Sequence, residues 1–392
     1  MNYLDKTTVL CRHAENYEDP RILLSVREAF AAFGLTEEVV RGKRVALKPN
    51  LVIKKGPETA ATVHPALVDA VLTVLDEMEP ADVVIGESCG GPFTEGVLSG
   101  VFRVTGIADI AAKHRAHLNT DYTERDVPAP DGVLCKGFHI IAPIADAEIV
   151  INLSKLKSHT LTTMSGAVKN WFGTIPGTQK FEMHARFSDY SMFNTMLVDL
   201  CDMQHSAHRV LNLQDAVMTM EGNGPTGGSP RYIGCILASD NAFALDLLAE
   251  HLIGFDGTVP MIRIAKERGF CPDSWEKLQI TGDDPASRRV TDFVTPDSNT
   301  DPSLLVKLPK ILGSRVFHVV RPRPVIQKSV CVGCGECARS CPKQTITVEK
   351  DKNGKRHAKI HRKDCIHCFC CQELCPYRAI AIRQNPILKL LG

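Results

Sequence analysis

Two matching cysteine runs near the C-terminus carry the strongest chemical signal in the sequence. The first reads Cys331-x2-Cys334-x2-Cys337-x3-Cys341 and the second reads Cys365-x2-Cys368-x2-Cys371-x3-Cys375, and a proline follows each run. This spacing is typical of [4Fe–4S] ligation, because three closely spaced thiolates can wrap one face of a cube. The fourth cysteine lies too far along the chain for its own cube and ligates the other cube. The runs therefore predict two clusters: cluster 1 bound by Cys331, Cys334, Cys337 and Cys375, and cluster 2 bound by Cys365, Cys368, Cys371 and Cys341.

Zinc is the alternative occupant of these cysteines. Zinc sites usually alternate CxxC pairs with long gaps, which fits two copies of CxxCxxCxxxCP poorly. The region resembles a bacterial-type ferredoxin with two clusters. The other cysteines show no pairing pattern, and Cys370, inside the second run, is expected to be a spare buried thiol. In an intracellular chain, the spacing of the cysteines favours metal binding over disulfides. These remaining cysteines are Cys11, Cys89, Cys135, Cys201, Cys235, Cys271 and Cys370.

The tail that contains the runs is basic and the rest of the chain is acidic. Residues 326–392 hold 13 Lys and Arg against 5 Asp and Glu, which leaves 33 against 40 elsewhere, or net charges of +8 and −7. Two oxidised clusters with their thiolates, at about −2 each, reduce the charge of the tail to about +4. The surplus favours an acidic redox partner protein, such as a ferredoxin or flavodoxin. Nucleic acid is not an expected partner, since the basic residues are scattered and few aromatic residues accompany them.

The body of the chain alternates segments with strand and helix patterns. We predict an α/β domain with a mainly parallel sheet and flanking helices at 1–300, a linker at 301–325, and a small α+β two-cluster ferredoxin-like domain at 326–392. Apolar runs predict strands at 43–48, 82–86, 148–153, 210–217 and 232–238. Helical spacing predicts helices at 20–33, 65–78, 161–172, 191–204, 241–252, 259–268 and, within the linker, 302–312. No run of about 18 apolar residues and no secretory signal is visible, so we expect a cytoplasmic protein without a membrane span.

Polar residues gather where several of these strands end. In an open parallel sheet the ligand crevice lies at the carboxyl ends of the strands, so separate segments are expected to meet in one cleft rich in lysine. Cations, small residues and a helix start suit an anionic small molecule, either a phosphate or a carboxylate. The predicted anion-binding residues are Lys48, Asn50, Lys157, Ser165 and Asn170, and the candidate catalytic residues are Lys155, His159, Lys169 and His184. Ser165 and Lys169 are expected on one face of the helix at 161–172, as a nucleophile and base or as an anion-binding pair.

The sequence leaves open whether a second cofactor in this cleft is a flavin, a nucleotide or an additional metal. Neither a Walker A sequence nor GxGxxG follows a strand. His159 and His184, joined by Asp215 and Glu221, are candidate metal ligands or general acids and bases. The glycine-rich segment at 222–230 is expected to be a lid over the cleft or a hairpin connection. Asp240, followed by Asn241, is expected to cap a helix.

Five segments of the body resemble the domain of unknown function 362 family, which often carries a C-terminal two-cluster ferredoxin module. They are ALKPNLV at 46–52, VVIGESCGG at 83–91, INLSKLKSH at 151–159, SGAVKNWFGTIPG at 165–177 and DAVMTMEGNGPTGGSP at 215–230. The resemblance implies the domain layout and the iron–sulfur clusters. It supplies no substrate and no catalytic residue.

Three functions fit these observations. The first is a cytoplasmic, oxygen-sensitive oxidoreductase whose clusters pass electrons to an anionic substrate or second cofactor in the cleft, since low-potential clusters suit a difficult reduction. The second is a non-enzymatic electron carrier or maturation factor whose α/β domain docks a partner. The third is a non-redox enzyme in which the clusters are structural. A ligand held in the cleft favours the first function, and a large apolar surface favours the second.

Overall fold

A computed structural model describes residues 2–298 and 322–384. The strands of the described ranges are β1 Thr8–His13, β2 Arg44–Pro49, β3 Asp82–Ile85, β4 His117–Leu118, β5 Glu124–Pro128, β6 Gly137–Ile141, β7 Ile149–His159, β8 Thr163–Ser165, β9 Arg209–Glu221, β10 Ser229–Ser239, β11 Gln279–Gly282, β12 Arg323–Ile326, β13 Ile346–Lys350, β14 Arg356–Ile360 and β15 Ile380–Arg383. The α-helices are α1 Arg21–Ala32, α2 Glu37–Val40, α3 Pro65–Met78, α4 Glu95–Val104, α5 Ile107–Ala111, α6 Ala142–Ala145, α7 Ala167–Asn170, α8 Gln179–Arg186, α9 Tyr190–Ala207, α10 Ala242–Leu252, α11 Pro260–Glu267, α12 Glu336–Arg339 and α13 Cys370–Glu373. The helix predicted at 302–312 lies outside the described residues.

A single mixed sheet organises the large domain. Its strand order is β11-β1-β10-β9-β7-β2-β3-β4, with β8 paired to β7. Along this order only β10 runs antiparallel to its neighbours, and all other adjacent pairs are parallel. The prediction of an α/β domain with a mainly parallel sheet is therefore confirmed. The carboxyl ends of β2, β3, β7 and β9 share one edge, which is where ligand crevices form in such sheets.

The sheet is buried between two helical layers. Helices α9, α10 and α11 contribute to the apolar core on one face, together with β-strand residues such as Val150. Helices α1, α3, α4 and α5 contribute to the core on the other face, together with residues such as Ile151. Strand β7 is buried along its whole length, because apolar side chains alternate between both layers in its first half.

The helix predicted at 161–172 is wrong. Strand β7 continues six residues past Leu153, turns, and pairs antiparallel with the short strand β8 before α7 begins. The turn is fixed by His159, whose Nδ1 accepts hydrogen bonds from the backbone N–H groups of Leu161 and Thr162 at 3.0 and 3.3 Å. The carboxylate of Asp246 then accepts from the N–H groups of Ala167 and Val168 at 2.7 and 2.9 Å, which starts the helix at that point. Tertiary hydrogen bonds therefore override the helical spacing of this segment.

The C-terminal part of the described chain forms a small separate unit. Strands β12 and β15 pair antiparallel, as do β13 and β14, and one short helix follows the start of each cysteine run. The α+β prediction for this part of the chain is confirmed. Within residues 2–298 and 322–384, none of the helices is long and apolar enough to cross a membrane.

Candidate iron–sulfur module and anion cleft

Each set of cysteines predicted to bind one cluster surrounds its own cavity. One cavity, of about 320 Å³, is lined by Cys331, Cys334, Cys337 and Cys375. The other, of about 330 Å³, is lined by Cys341, Cys365, Cys368 and Cys371. The fourth cysteine of each run thus lies with the first three of the other run. Apolar residues such as Ile380 and Ile346 complete the two walls.

The surroundings of the thiols fit a thiolate cluster. Backbone N–H groups donate to sulfur at 3.3 Å from Ala358 to Cys331, at 3.3 Å from Ala379 to Cys375, and at 3.4 Å from Thr345 to Cys341. Such hydrogen bonds to sulfur tune the cluster. Burial, followed by neighbouring thiols, raises the pKa of Cys337 to about 11, so four thiolates collect here only with metal charge to balance them. The donor set of each cavity therefore fits one [4Fe–4S] cluster.

The two loops that wrap the cavities share an unusual backbone conformation. In the first run Gly333 and Gly335 have φ values of +68° and +83°. In the second run the equivalent positions are His367 and Phe369, with φ values of +55° and +61°. A residue other than glycine in this region costs about 1–2 kcal/mol. The second loop therefore accepts local strain to keep the same wrapped shape.

The cluster module packs against the carboxyl edge of the large sheet. The Nε2 of Gln372 in α13 donates to the carbonyl of Asn223 at 3.1 Å, and Oγ1 of Thr226 donates to the carbonyl of Glu373 at 2.6 Å. A Cβ atom added at Gly90 would meet the side chain of Leu374. The glycine-rich segment at 222–230 is thus the connection between β9 and β10, and it also holds the module. The basic C-terminal module therefore packs on the acidic large domain.

A cavity of about 640 Å³ lies at this junction and has walls from both parts of the chain. The large domain contributes residues from four segments, and the module contributes α13 and Leu374, the residue that follows it. Its polar and charged lining consists of Asn50, Glu87, Ser88, Ser165, Lys169, Asn170, Lys180, His184 and Glu373, with the thiols of Cys89 and Cys370. We call it the anion cleft.

A buried network of amides forms the floor of the anion cleft. Lys48, Asn152 and Asn212 lie side by side across β2, β7 and β9. The Nδ2 of Asn170 donates to Oδ1 of Asn152 at 2.7 Å, and its Oδ1 accepts from Nδ2 of Asn50 at 3.0 Å. These bonds hold α7 against the strand ends, so that the residues at its tip face the cleft.

Lys48 and Lys157 lie behind this floor and not in the open cleft. The Nζ of Lys48 is 2.8 Å from Oε2 of Glu87, and both side chains are almost fully buried. The Nζ of Lys157 donates to Oδ1 of Asn50 and to the carbonyl of Ala61, both at 2.7 Å. Burial lowers the pKa of both lysines, and that of Lys157 falls well below its usual value because the positive charge of the nearby Lys169 adds to the effect of burial. An anion in front of Asn50 would offset this cost.

Lys155 is not part of the anion cleft, which corrects its assignment as a catalytic residue there. Its Nζ donates to Oδ2 of Asp215 and to the hydroxyl of Tyr17, both at 2.8 Å, and both charged side chains are 0% exposed. Tyr17 stacks on His64 with ring centroids 3.5 Å apart and closes this pair from the outside. Lys155 and Asp215 therefore form an internal ion pair that ties β7 to β9.

Lys169 and Lys180 are the cations that line the cleft. Burial lowers the pKa of Lys169, and the nearby Glu373 opposes that shift. Lys180 donates to Oγ of Ser88 at 2.7 Å and to the carbonyl of Cys89 at 3.2 Å, and burial lowers its pKa to about 8. Four lysines, of which Lys48, Lys157 and Lys180 are buried and Lys169 is half-buried, surround this site together with two carboxylates, Glu87 and Glu373. The site therefore has a surplus of two positive charges when all six groups are ionised. The cleft is therefore electrostatically suited to an anion.

The two candidate histidines differ in position. His184, on α8, lines the cleft and stacks on Phe193, and burial lowers its pKa to about 3. It is neutral near pH 7 and can act there only as a neutral hydrogen-bonding group. His159 ends β7, and its Nε2 lies 3.9 Å from Oε2 of Glu373. The role of His159 in the structure is to fix the turn before β8.

Other expectations for this region are corrected by the structure. Ser165 and Lys169 both line the cleft, but they belong to β8 and α7 and share no helical face. Asp215 and Glu221 do not converge with His159 and His184: Asp215 binds Lys155, and Glu221 accepts from the N–H of Val294 at 3.1 Å. The α10 helix is capped by Asn241, and Asp240 pairs with Lys6 instead. The candidate metal ligands His159, His184, Asp215 and Glu221 therefore do not form a metal site.

The sequence patterns gave no role in the cleft to Glu373. Ser88 and Lys180 lie 92 residues apart, and only the packing of α8 against the end of β3 joins them. Glu373 lies within the second cysteine run, where the metal pattern dominated the interpretation. A charged residue between two cluster ligands is the signal that would have suggested a second role.

A larger cavity of about 870 Å³ adjoins the cleft on the other side of His184. It is mostly apolar, and its lining includes Phe187, Phe193, Phe369 and the cluster-2 ligand Cys368. Pro296, Ser298 and Pro322, which border the undescribed part of the chain, also line it. No site is assigned to it.

The two four-cysteine cavities define an iron–sulfur protein with a ferredoxin-type module. Comparison with protein families agrees: residues 330–379 match the 4Fe-4S dicluster domain, and residues 45–250 match the domain of unknown function (DUF362). A thylakoid-associated protein of Synechocystis sp. is 30% identical over 275 residues, which cover 67% of this chain and 80% of that protein. The chain belongs to the DUF362 family and carries a C-terminal 4Fe-4S dicluster domain.

Two solved structures show a distant likeness. The lactate racemase apoprotein from Thermoanaerobacterium thermosaccharolyticum is 13% identical, with a TM-score of 0.39, over 64% of this chain and 58% of that one. A protein from Thermotoga maritima is 12% identical, with a TM-score of 0.34, over 58% of each chain. The chain thus spans less than two thirds of either solved protein.

Proposed function

We propose that this iron–sulfur protein is an oxidoreductase that reduces a small anionic substrate in the anion cleft. One observation carries the proposal: the cleft is closed by α13, the helix that also provides the cluster-2 ligand Cys371. An occupant would touch Cys370 and Glu373, which flank that ligand. Direct contact between an electron donor and a substrate site is expected of a reductase, and a carrier that only docks partners has no need of it.

The binding step rests on the lysines. Lys169 and Lys180 meet the anion directly, and the buried Lys157 adds positive charge from behind Asn50. A carboxylate or phosphate would raise the pKa of all three towards its usual value, because it offsets the burial that lowers each one. Binding energy is therefore available without any large rearrangement.

The chemical step needs electrons and protons in equal number. Two bound [4Fe–4S] clusters supply two electrons, one each, at low potential. Lys180 is placed to supply a proton, because its ammonium group lines the cleft and its pKa, about 8 without an anion, keeps it protonated at pH 7. His184 and Ser165 orient the substrate as neutral hydrogen-bonding groups. A two-electron reduction that consumes two protons balances if solvent, through the open side of the cleft, provides the second proton.

The proposal is tested on the holoprotein, purified without oxygen and reduced with dithionite. Inorganic phosphate and acetate are titrated by calorimetry, and the electron paramagnetic resonance spectrum of the reduced clusters is followed in parallel. We expect binding that weakens with salt and perturbs one cluster spectrum. The variant K169Q/K180Q should lose binding but keep its iron, and the surface variant K113Q is the matched control.

Turnover is tested by mixing the reduced protein with a panel of small carboxylates and phosphate esters. Reoxidation of the clusters by a member of the panel, lost in K169Q/K180Q, supports the reductase. Absence of any anion binding, or binding that the double variant leaves unchanged, contradicts the proposal and favours an electron carrier.

A further inference from the structure

Three side chains of types that bind metals converge on the neighbouring strands β1 and β10, outside the iron–sulfur module. Cys11 and His13 lie two residues apart on β1, so they face the same side of the sheet. Cys235 lies opposite His13 on the antiparallel neighbour β10. One ligand atom from each residue lies within 4.8 Å of the other two. No sequence pattern indicates this group, because the two cysteines are 224 positions apart.

The environment of the three residues favours a ligand. Cys11 and Cys235 are both 0% exposed, and His13 is half-buried. The Nε2 of His13 is buried and has no hydrogen-bond partner among the described residues, which is costly for a polar atom. The pairing of β10 with β9 shifts register between Tyr232 and Cys235, so Cys235 lies next to an irregularity of the sheet. Asp283 fixes the backbone of His13 by accepting its N–H at 2.8 Å.

We propose that Cys11, His13 and Cys235 bind one zinc-class divalent metal ion. Two thiolates and an imidazole are the donors that Zn²⁺ prefers, and three protein ligands leave a fourth position for water or a substrate atom. Binding converts two thiols to thiolates and releases two protons, so no oxidant or reductant is involved. The site lies at the carboxyl end of β1, on the same edge of the sheet as the anion cleft, since β1 and β9 both run antiparallel to β10. It goes beyond the proposed reductase function and does not depend on it.

The competing arrangement is a metal-free pair of thiols. The structure already has a hydrogen bond between the thiols of Cys11 and Cys235, which needs no ion, and oxidation would join the two as a disulfide. Neither arrangement gives His13 Nε2 a partner, whereas a metal ion bound to that ring would.

The experiment measures zinc in the full-length holoprotein after anaerobic incubation with ZnSO₄ and gel filtration. We expect one zinc per chain in addition to the iron. Absorption spectroscopy at the zinc K-edge, which iron does not obscure, should show two sulfur ligands at about 2.3 Å and a nitrogen ligand at about 2.0–2.1 Å. C11S/C235S should lose the zinc and keep its iron, and C271S, which changes another buried thiol, should lose neither.

His13→Gln provides a second route if the double cysteine variant fails to fold, because His13 is only half-buried. It should weaken zinc binding by at least roughly tenfold, and it should leave the cluster spectra and phosphate binding unchanged. Three outcomes overturn the proposal: no retained zinc, a zinc with four sulfur ligands that persists in C11S/C235S, or unchanged affinity in H13Q. The second outcome would place zinc in the cluster cysteines.

Discussion

The buried ion pair between Lys155 and Asp215 gives a quantitative test of the site description. Asp215 accepts four hydrogen bonds: from Lys155 Nζ at 2.8 Å, Tyr17 hydroxyl at 2.9 Å, His64 N–H at 2.9 Å and Val217 N–H at 3.2 Å. Asp215→Asn keeps the shape but removes the charge that keeps Lys155 protonated. Removal of one partner of a buried pair costs about 3–5 kcal/mol. We therefore expect a loss of that size in the free energy of unfolding.

The pKa of Lys155 sets an upper limit on the loss of unfolding free energy in D215N and makes that loss depend on pH. Burial lowers that pKa and Asp215 opposes the shift, so in D215N the lysine is expected to become neutral in the folded state. Deprotonation at pH 7 of a group with an unfolded pKa of about 10.4 costs at most about 4.6 kcal/mol, at about 1.4 kcal/mol per pH unit. Because the folded-state pKa in the variant is lowered, the loss is full at low pH and shrinks as the pH rises towards about 10.4. At pH 9 the limit is about 1.9 kcal/mol.

Urea unfolding of the anaerobic holoprotein, followed by far-ultraviolet circular dichroism at pH 7 and pH 9, measures both effects. The double variant K155M/D215N should recover much of the loss, because no unpaired charge remains. D273N, at an exposed pair with Lys277, is the matched control and should leave the free energy of unfolding nearly unchanged. A loss below about 1 kcal/mol in D215N, or an equal loss at both pH values, would refute the assignment of a closed, charged pair.

Three further predictions follow from other parts of the structure. Cys341→Ala should disturb the cluster held by Cys365, Cys368 and Cys371 and spare the other, as resolved by Mössbauer or resonance spectroscopy of the reduced protein; damage confined to the other cluster would exclude crossed ligation. Burial lowers the pKa of His205 to about 3. The neutral ring therefore contributes fully to stability above about pH 6.5, and this contribution falls by about 1.4 kcal/mol per pH unit as the pH decreases towards 3. H205Q should flatten the pH dependence of urea unfolding between pH 7 and 5. Gly173→Ala places a Cβ atom 2.7 Å from Lys48 Nζ and against Glu87, so phosphate binding should fall at least roughly tenfold, with circular dichroism as the check on folding; full binding in G173A would show that the floor of the cleft adapts freely.

The contrast between helix α3 and the α7 region shows how much of the secondary structure local sequence patterns can predict. Helix α3 begins and ends at the predicted residues, because Pro65 starts it and its apolar spacing covers one face. The segment at 161–172 has similar spacing, yet Asp246 and His159 turn it into a strand and a short helix. Those two residues lie outside the segment or at its edge, so no local pattern could reveal their effect.

The sequence by itself determined the metal chemistry, since thiolate spacing along a short loop dictates which cysteines can wrap one cube. It also determined the fold class, because the periods of apolar residues identify strands and helices. Only the tertiary structure decided which lysines share a site: Lys155 and Lys157 are two positions apart on β7, yet one pairs with Asp215 and the other supports the cleft through Asn50. The same holds for Lys180, Glu373 and the Cys11, His13 and Cys235 group, which distant segments bring together. The physical reason is that burial and charge pairing depend on neighbours in space, and those neighbours are set by the packing of strands that lie far apart in the chain.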